Sequence, residues 1–313
     1  MRPVDIEKAL RAARIEPAAV VAIEEVGDGW ECRVFRVERP GVEDVALRLY
    51  TGDPSGQTMR AEVAAYLALE KVEYPAPKLL ARHDDRQPLG APFVLIDWLE
   101  GPVADSLGTS TAALDMIVDL MVRLHDIVPS GDLLDEGAVP WRSNRNLIEG
   151  RFALLDELDL GGFRPSLQWL LERVGDLEKV PLSYVHMDFH PRNVIITGRG
   201  PVVFDWGSFA VADPRADLAW SLLLARTYLD DAAAGYFLSY YENRRPEGIE
   251  DLVFFEVSAV WRRFATIVTL LRENPPASVK TQVSDGIRLL RPAYQRFVEA
   301  TGSTIAEVEA LYR

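Results

Sequence analysis

From Tyr184 to Gly207 the chain reads YVHMDFHPRNVIITGRGPVVFDWG, and this stretch constrains the fold more than any other. Tyr184-Val185, Val194-Ile195-Ile196 and Val202-Val203-Phe204 are rich in β-branched and aromatic residues and read as short buried strands. The polar residues between them therefore sit where strands end. Asp188, Asn193 and Asp205 fall in the order D-x-x-x-x-N, strand, D-aromatic-G. Moving a phosphoryl group from ATP to a hydroxyl calls for a carboxylate that orients the hydroxyl and accepts its proton. It also calls for a carboxylate and an amide oxygen that hold magnesium on the phosphates. The segment supplies all three. Two hairpins with turns of Asp, Asn and Gly would share the composition, but His186, placed as in H-x-D, and the spacing to Asp205 favour the chemistry.

The rest of the chain divides in character near residues 98–103. Before it, Asp5 to Arg14 reads as a short amphipathic helix capped by Asp5. Val20–Glu25, Arg33–Glu38 and Val45–Tyr50 read as strands, separated by Gly27-Asp28-Gly29 and by Pro40-Gly41. A helix is expected over Met59–Lys71 and further strands over Lys78–Arg82 and Phe93–Trp98. After Glu100-Gly101-Pro102 helical patterns dominate: 111–127, 144–158, 165–177, 215–229, 231–244, 249–273, 279–301 and 304–312. The expected class is α+β and bilobal, with a small β-rich N-terminal lobe over 1–98 and a large, mostly helical C-terminal lobe over 99–313.

At 313 residues the chain can bury a core in each of two lobes. A net charge of −14, spread along the chain, argues against a nucleic-acid partner, which needs a basic patch. It leaves room for a cationic small-molecule partner. The single cysteine, Cys32, allows no internal disulfide and fits a reducing cytoplasm. The longest apolar run, Leu218 to Ala225, is far too short to span a bilayer, so no membrane partner is expected.

A strand, a glycine-bearing turn and a second strand can cover the phosphates of a nucleotide, because glycine lets backbone N–H groups approach closely. Gly27 and Gly29 are the candidates here. On the third strand Arg48 stands where V-A-I-K places its lysine, and Glu62 on the following helix is its expected partner. The guanidinium fork can grip phosphates; a surface ion pair is the plainer alternative. Asp97, Trp98 and Leu99 mark where a nucleobase would meet the connector, with Trp98 equally suited to packing.

With these pieces in order the chain resembles the aminoglycoside phosphotransferase family, small-molecule kinases of the protein-kinase-like fold. The resemblance lies in His186-Met187-Asp188-Phe189-His190-Pro191-Arg192-Asn193, in Phe204-Asp205-Trp206-Gly207, and in Ala212-Asp213-Pro214-Arg215-Ala216-Asp217-Leu218-Ala219. It spans about residues 20–225, with Leu124-His125 also familiar. Met187 and Ala212 replace family glycines, which suggests small backbone adjustments. The resemblance implies ATP as phosphoryl donor and Mg²⁺ as cofactor. It makes Asp188 the catalytic base, Asn193 and Asp205 the metal ligands, and His186 a brace of the loop. His190 would reach the γ-phosphate or act structurally, and Asp217 would cap its helix and tie down the catalytic loop.

Only seven residues separate Asp205 from Asp213, too few for the activation segment and peptide platform of a protein kinase. The acceptor is therefore expected to be a small molecule, an aminoglycoside-type or related antibiotic ranking first. A macrolide, choline or homoserine are the alternatives, as is a nucleotide-binding pseudoenzyme. Glu149, Asp156, Glu157, Asp230, Asp231 and Glu256 could contact an aminated acceptor, and Trp141, Tyr236, Trp261 and Phe264 could line an apolar pocket; solvated charge and core packing are the plainer roles.

Overall fold

The computed structural model describes residues 2–12, 15, 20, 22–28, 32–53, 55–107, 110–129, 143–177, 179–245, 248–273, 275 and 277–313. In chain order the elements are α1 (Pro3–Ala12), β1 (Ala22–Asp28), β2 (Arg33–Glu38), β3 (Val45–Leu49), α2 (Gln57–Lys71), β4 (Leu79–His83) and β5 (Phe93–Asp97). Then come α3 (Thr111–His125), α4 (Asn144–Glu157), α5 (Arg164–Arg173), β6 (Ser183–Val185), β7 (Val194–Thr197), β8 (Gly200–Val203) and β9 (Ala210–Ala212). The chain ends in α6 (Pro214–Tyr228), α7 (Asp231–Arg244), α8 (Leu252–Arg272), α9 (Ala277–Thr301) and α10 (Ala306–Leu311). Contacts gather these into two units: the described residues of 1–108 and 191–210, and those of 109–129, 141–190 and 211–313.

The first unit is built on an antiparallel sheet of order β1-β2-β3-β5-β4. Side chains alternate between faces along a strand. Phe35, Val37, Val45, Leu47, Leu49, Phe93 and Leu95 form one face and bury Ile6, Ala9 and Leu10 of α1. The opposite face carries Arg48, out of step with Leu47 and Leu49. The strand β1 runs on through Gly27 and Asp28, paired with Val34 and Arg33, so these two residues belong to the strand rather than to the turn expected from sequence. A register shift between Glu25 and Gly27 takes up Val26 as the extra residue of a bulge. Gly29, Trp30 and Glu31 lie outside the described residues.

Residues 191–210 join this unit through the β7–β8 hairpin, in which Val194 pairs with Val203. Ile196 N–H donates to the Pro102 carbonyl and Val203 N–H to that of Pro75. At Gly101 a Cβ would stand 2.0 Å from the Ile196 carbonyl oxygen, and its φ of +149° is also closed to other residues, so glycine is required there.

The helical unit buries one large core, with Phe163, Leu167, Phe255, Trp261, Phe264 and Phe297 among its members. The side chains of Ser110, Ser143, Asp213 and Asp230 cap α3, α4, α6 and α7, each accepting a backbone N–H of the first turn. Two caps differ from expectation. The helix α1 begins at Pro3, so Asp5 lies inside the first turn and pairs with Arg2 at 2.9 Å. Asp217 is likewise internal to α6, because Asp213 followed by Pro214 supplies the start. Trp261 and Phe264 are core residues and Trp141 lies outside the described residues. Among the described residues, no helix is long and apolar enough to cross a membrane.

Candidate active site

In the sheet-bearing unit, period-two alternation puts Arg48 and Tyr50 on one face of β3 and its extension. Four-residue spacing puts Glu62 and Tyr66 on one face of α2. These four side chains meet in the core. Glu62 is fully buried and accepts hydrogen bonds from Arg48 Nε at 3.0 Å, from Tyr66 Oη at 2.5 Å and from Tyr50 Oη. The surface ion pair considered for Arg48 and Glu62 is thus excluded. Burial would lower the Arg48 pKa, but the Glu62 carboxylate outweighs it and drives the value well above the ordinary guanidinium range. Burial, then the adjacent Glu62 charge, pushes the Tyr50 and Tyr66 pKa values well up. Both phenols therefore stay donors.

The second arm of the Arg48 fork reaches Asp205, with Nη2 3.0 Å from Oδ1. Asp205 follows β8 and takes a left-handed backbone, φ +65°, a region aspartate tolerates. Trp206, next in the chain, is fully buried, packs edge-on against Tyr74 at 5.7 Å and donates Nε1 to the Val203 carbonyl. Gly207 presses on α2, where a Cβ would come within 2.8 Å of Thr58 Cγ2. So Trp206 and Gly207 plug the loop into the core while Asp205, with 47% of its side chain exposed, faces out. The hairpin register brings Asn193 alongside: its carbonyl accepts the Phe204 N–H at 2.9 Å, one residue before Asp205. A carboxylate and an amide are hard oxygen donors of the kind magnesium takes, and they stand at one end of one hairpin. Among the described residues no cluster of three or more His, Cys, Asp or Glu side chains forms a separate metal site.

Asp97, Trp98 and Leu99 line an open groove of about 830 Å³ together with Arg36, Asp44, Lys78 and Arg199. The Asp97 N–H donates to the Lys78 carbonyl and the Trp98 N–H to that of Asp44. The Asp97 carboxylate is held by Lys78 N–H and Arg199. The Trp98 ring lies under Arg36 at 4.9 Å. Of the three, only the Leu99 amide meets no acceptor among the described residues.

The helical unit carries the other functional candidates. Asp217, fully buried, accepts the N–H groups of both His186 and Met187 at 2.8 Å. It also faces His125 Nε2 at 3.3 Å, and His125 Nδ1 meets Tyr241 Oη at 2.7 Å. Asp217 thus ties down the loop, as expected, although it caps nothing. Met187 takes φ +64°, so its backbone adopts the left-handed shape instead of adjusting it away. His186 is fully buried, its ring 5.4 Å from Phe189. Asp188 is left half-buried, 37% of its side chain exposed, with His190 Nε2 3.4 Å from Oδ2 and Trp220 Nε1 donating to Oδ1 at 2.8 Å. Burial raises its pKa, but hydrogen bonding and charge from His190, then Trp220, hold it well below the usual carboxylate range.

Of the acidic acceptor candidates, Asp156 pairs with Arg164, Glu149 with Arg145, Asp231 with Arg226 and Arg296, and Glu256 with Arg226, while Asp230 caps α7. Tyr236 hydrogen-bonds Asp115 on the surface. Sequence reasoning missed Tyr50, Tyr66 and Trp220; the spacing of each from Arg48, Glu62 and Asp217 was the available signal.

The model of the phosphotransferase enzyme family matches residues 22–252, and the chain belongs to that family. It is in class a phosphotransferase. No curated protein matches in sequence. Among solved structures it is similar to a protein of Ralstonia eutropha JMP134 designated an aminoglycoside phosphotransferase, at 18% identity and TM-score 0.70 over 97% of this chain and 99% of that one. It is similar to Plasmodium vivax ethanolamine kinase, at 16% identity and TM-score 0.67 over 87% and 81%. A third is a thermostable mutant of aminoglycoside phosphotransferase APH(4)-Ia in ternary complex with AMP-PNP and hygromycin B, at 17% identity and TM-score 0.61 over 98% and 97%. The fold is that of the protein-kinase-like phosphotransferases, a β-sheet region followed by a helical one, as the α+β expectation had it.

Proposed function

We propose that the protein transfers the γ-phosphate of ATP, with magnesium, to a hydroxyl of a small molecule, an aminoglycoside-type or related antibiotic, in the cytoplasm. In this reading residues 1–98 clamp the nucleotide, and residues 99–313 carry the catalytic loop and the acceptor site. The observation that carries it is Arg48, whose fork spans Glu62 and Asp205: the cation that would grip phosphate already touches the carboxylate that would hold metal. The tyrosines keep Glu62 in place, so Arg48 is held in one orientation. The Leu99 amide would meet the nucleobase, and Gly27 and Gly29 are the glycines assigned to phosphate binding. Asn193 and Asp205 would hold magnesium, which when bound draws charge from the transferring phosphoryl oxygens.

Asp188 would accept the acceptor's hydroxyl proton as the new P–O bond forms and the bond to ADP breaks. Its depressed pKa keeps it ionised and able to accept. An amino alcohol such as choline is the second acceptor reading, favoured by the likeness to an ethanolamine kinase and by the acidic net charge. The intact Asp188, Asn193 and Asp205 argue against a pseudoenzyme.

The test is ADP release from Mg–ATP against a panel of aminoglycosides, macrolides, choline and homoserine. One or more acceptors should raise turnover, Asp188→Ala should abolish it, and Mg–ADP binding should persist in that variant. Turnover that survives Asp188→Ala overturns the base assignment.

A further inference from the structure

Three residues of α6, spaced so that they share one helical face, hold successive parts of the loop 186–189. Asp217 accepts the amides of His186 and Met187, and Ser221 Oγ donates to the Phe189 carbonyl at 2.8 Å. Between them Trp220 Nε1 donates to Asp188 Oδ1 at 2.8 Å. Trp220 is itself fixed. It is buried, and the Arg262 guanidinium of α8 lies 4.1 Å over its ring while donating to the Met187 carbonyl at 3.1 Å. An indole has one hydrogen-bonding atom, and this one is aimed at the carboxylate rather than at a backbone carbonyl or at solvent.

We propose that Trp220 is the positioning residue of the candidate base: by tying Oδ1 it fixes the rotation of the Asp188 carboxylate, and with it the direction in which Oδ2, beside His190, faces the acceptor hydroxyl. This rests on the reading of Asp188 as the base. A carboxylate with two free oxygens turns about its terminal bond, whereas one bonded through Oδ1 presents a single oxygen in one direction. The N–H also favours the ionised form, in the same sense as His190 and against burial. The groups around Asp188 that bear on this are His190 and His186 from its own segment, Asp217 from α6 and Arg262 from α8.

Trp220→Phe keeps an aromatic face for Arg262 and removes the donor. In the full chain labelled with ¹³C-aspartate, the Asp188 carboxyl should titrate about one pH unit higher in Trp220→Phe, the effect of one lost hydrogen bond to a charge. Asp188-dependent phosphate release from Mg–ATP should fall about tenfold with KM for ATP unchanged. An unmoved titration, or unchanged release, overturns the proposal. Should Trp220→Phe fail to fold, ¹⁵N-tryptophan spectra of the wild-type protein and Asp188→Asn decide: one of the seven indole signals should move upfield, and none moving overturns the proposal. Release that survives Asp188→Ala defeats the base assignment, whereas loss there with an unaffected Trp220→Phe defeats the positioning role alone.

Discussion

Arg48 Nη2 lies 3.0 Å from Asp205 Oδ1, a pairing across 157 positions of chain, while Nε of the same guanidinium holds Glu62. A lysine has one ammonium and cannot present two fixed arms to two carboxylates. Arg48→Lys should therefore weaken Mg–ADP binding about tenfold, the worth of one charge-assisted hydrogen bond, as read by titration calorimetry. Glu62→Gln breaks the buried pair and should cost about 3–5 kcal/mol of stability in urea unfolding.

The two phenols on Glu62 give an alkaline signature. Their folded-state pKa values are raised, so their contribution is complete below the unfolded tyrosine value of about 10 and is lost as pH rises toward the folded values. Stability should therefore fall above pH about 10 as the unfolded chain sheds these protons. Tyr66→Phe should flatten that fall and cost about 1.5–3 kcal/mol at neutral pH. Urea midpoints at neutral and alkaline pH measure both; equal slopes for variant and wild type would contradict the assignment.

At Met187 the left-handed backbone separates two effects. Met187→Ala and Met187→Gly lose the same buried side chain, but alanine still bears the cost of φ +64°, about 1 kcal/mol. The glycine variant should be the more stable of the two, the reverse of the order inside a helix. Thermal unfolding of the pair checks it.

Cys32 is buried, and burial pushes its thiol up to about 12. The thiolate is the reactive form, so iodoacetamide at pH 8 should leave the folded protein unmodified and label it fully in denaturant. Labelling of folded protein at the rate of free cysteine would contradict the burial.

Much of this was legible in sequence. Strands β2, β3 and β5 and the helices after residue 110 follow from periodicity, with ends displaced by a few residues. The order Asp188, Asn193, Asp205 stood out because strand ends fix where polar residues stand, and the structure places Asn193 and Asp205 at one end of the β7–β8 hairpin. What hid was decided by tertiary packing. Tyr50 and Tyr66 read as ordinary core aromatics, since nothing local says that their hydroxyls meet a buried carboxylate. Trp220 sits in the apolar run Leu218 to Ala225 and reads as packing, although its one donor is spent on Asp188. Asp213 and Asp217 compete for the same cap, and Pro214 settles it for Asp213 by fixing the first helical position.

The β7–β8 hairpin returns to the sheet-bearing unit although it is encoded almost a hundred residues after β5. No single scission of the polypeptide therefore yields that unit whole. A fragment ending near residue 108 would lack Trp206 against Tyr74, and would leave Arg48 with a charge whose second partner is on another piece. Gene fusions or split reporters built from this protein should keep both stretches on one molecule.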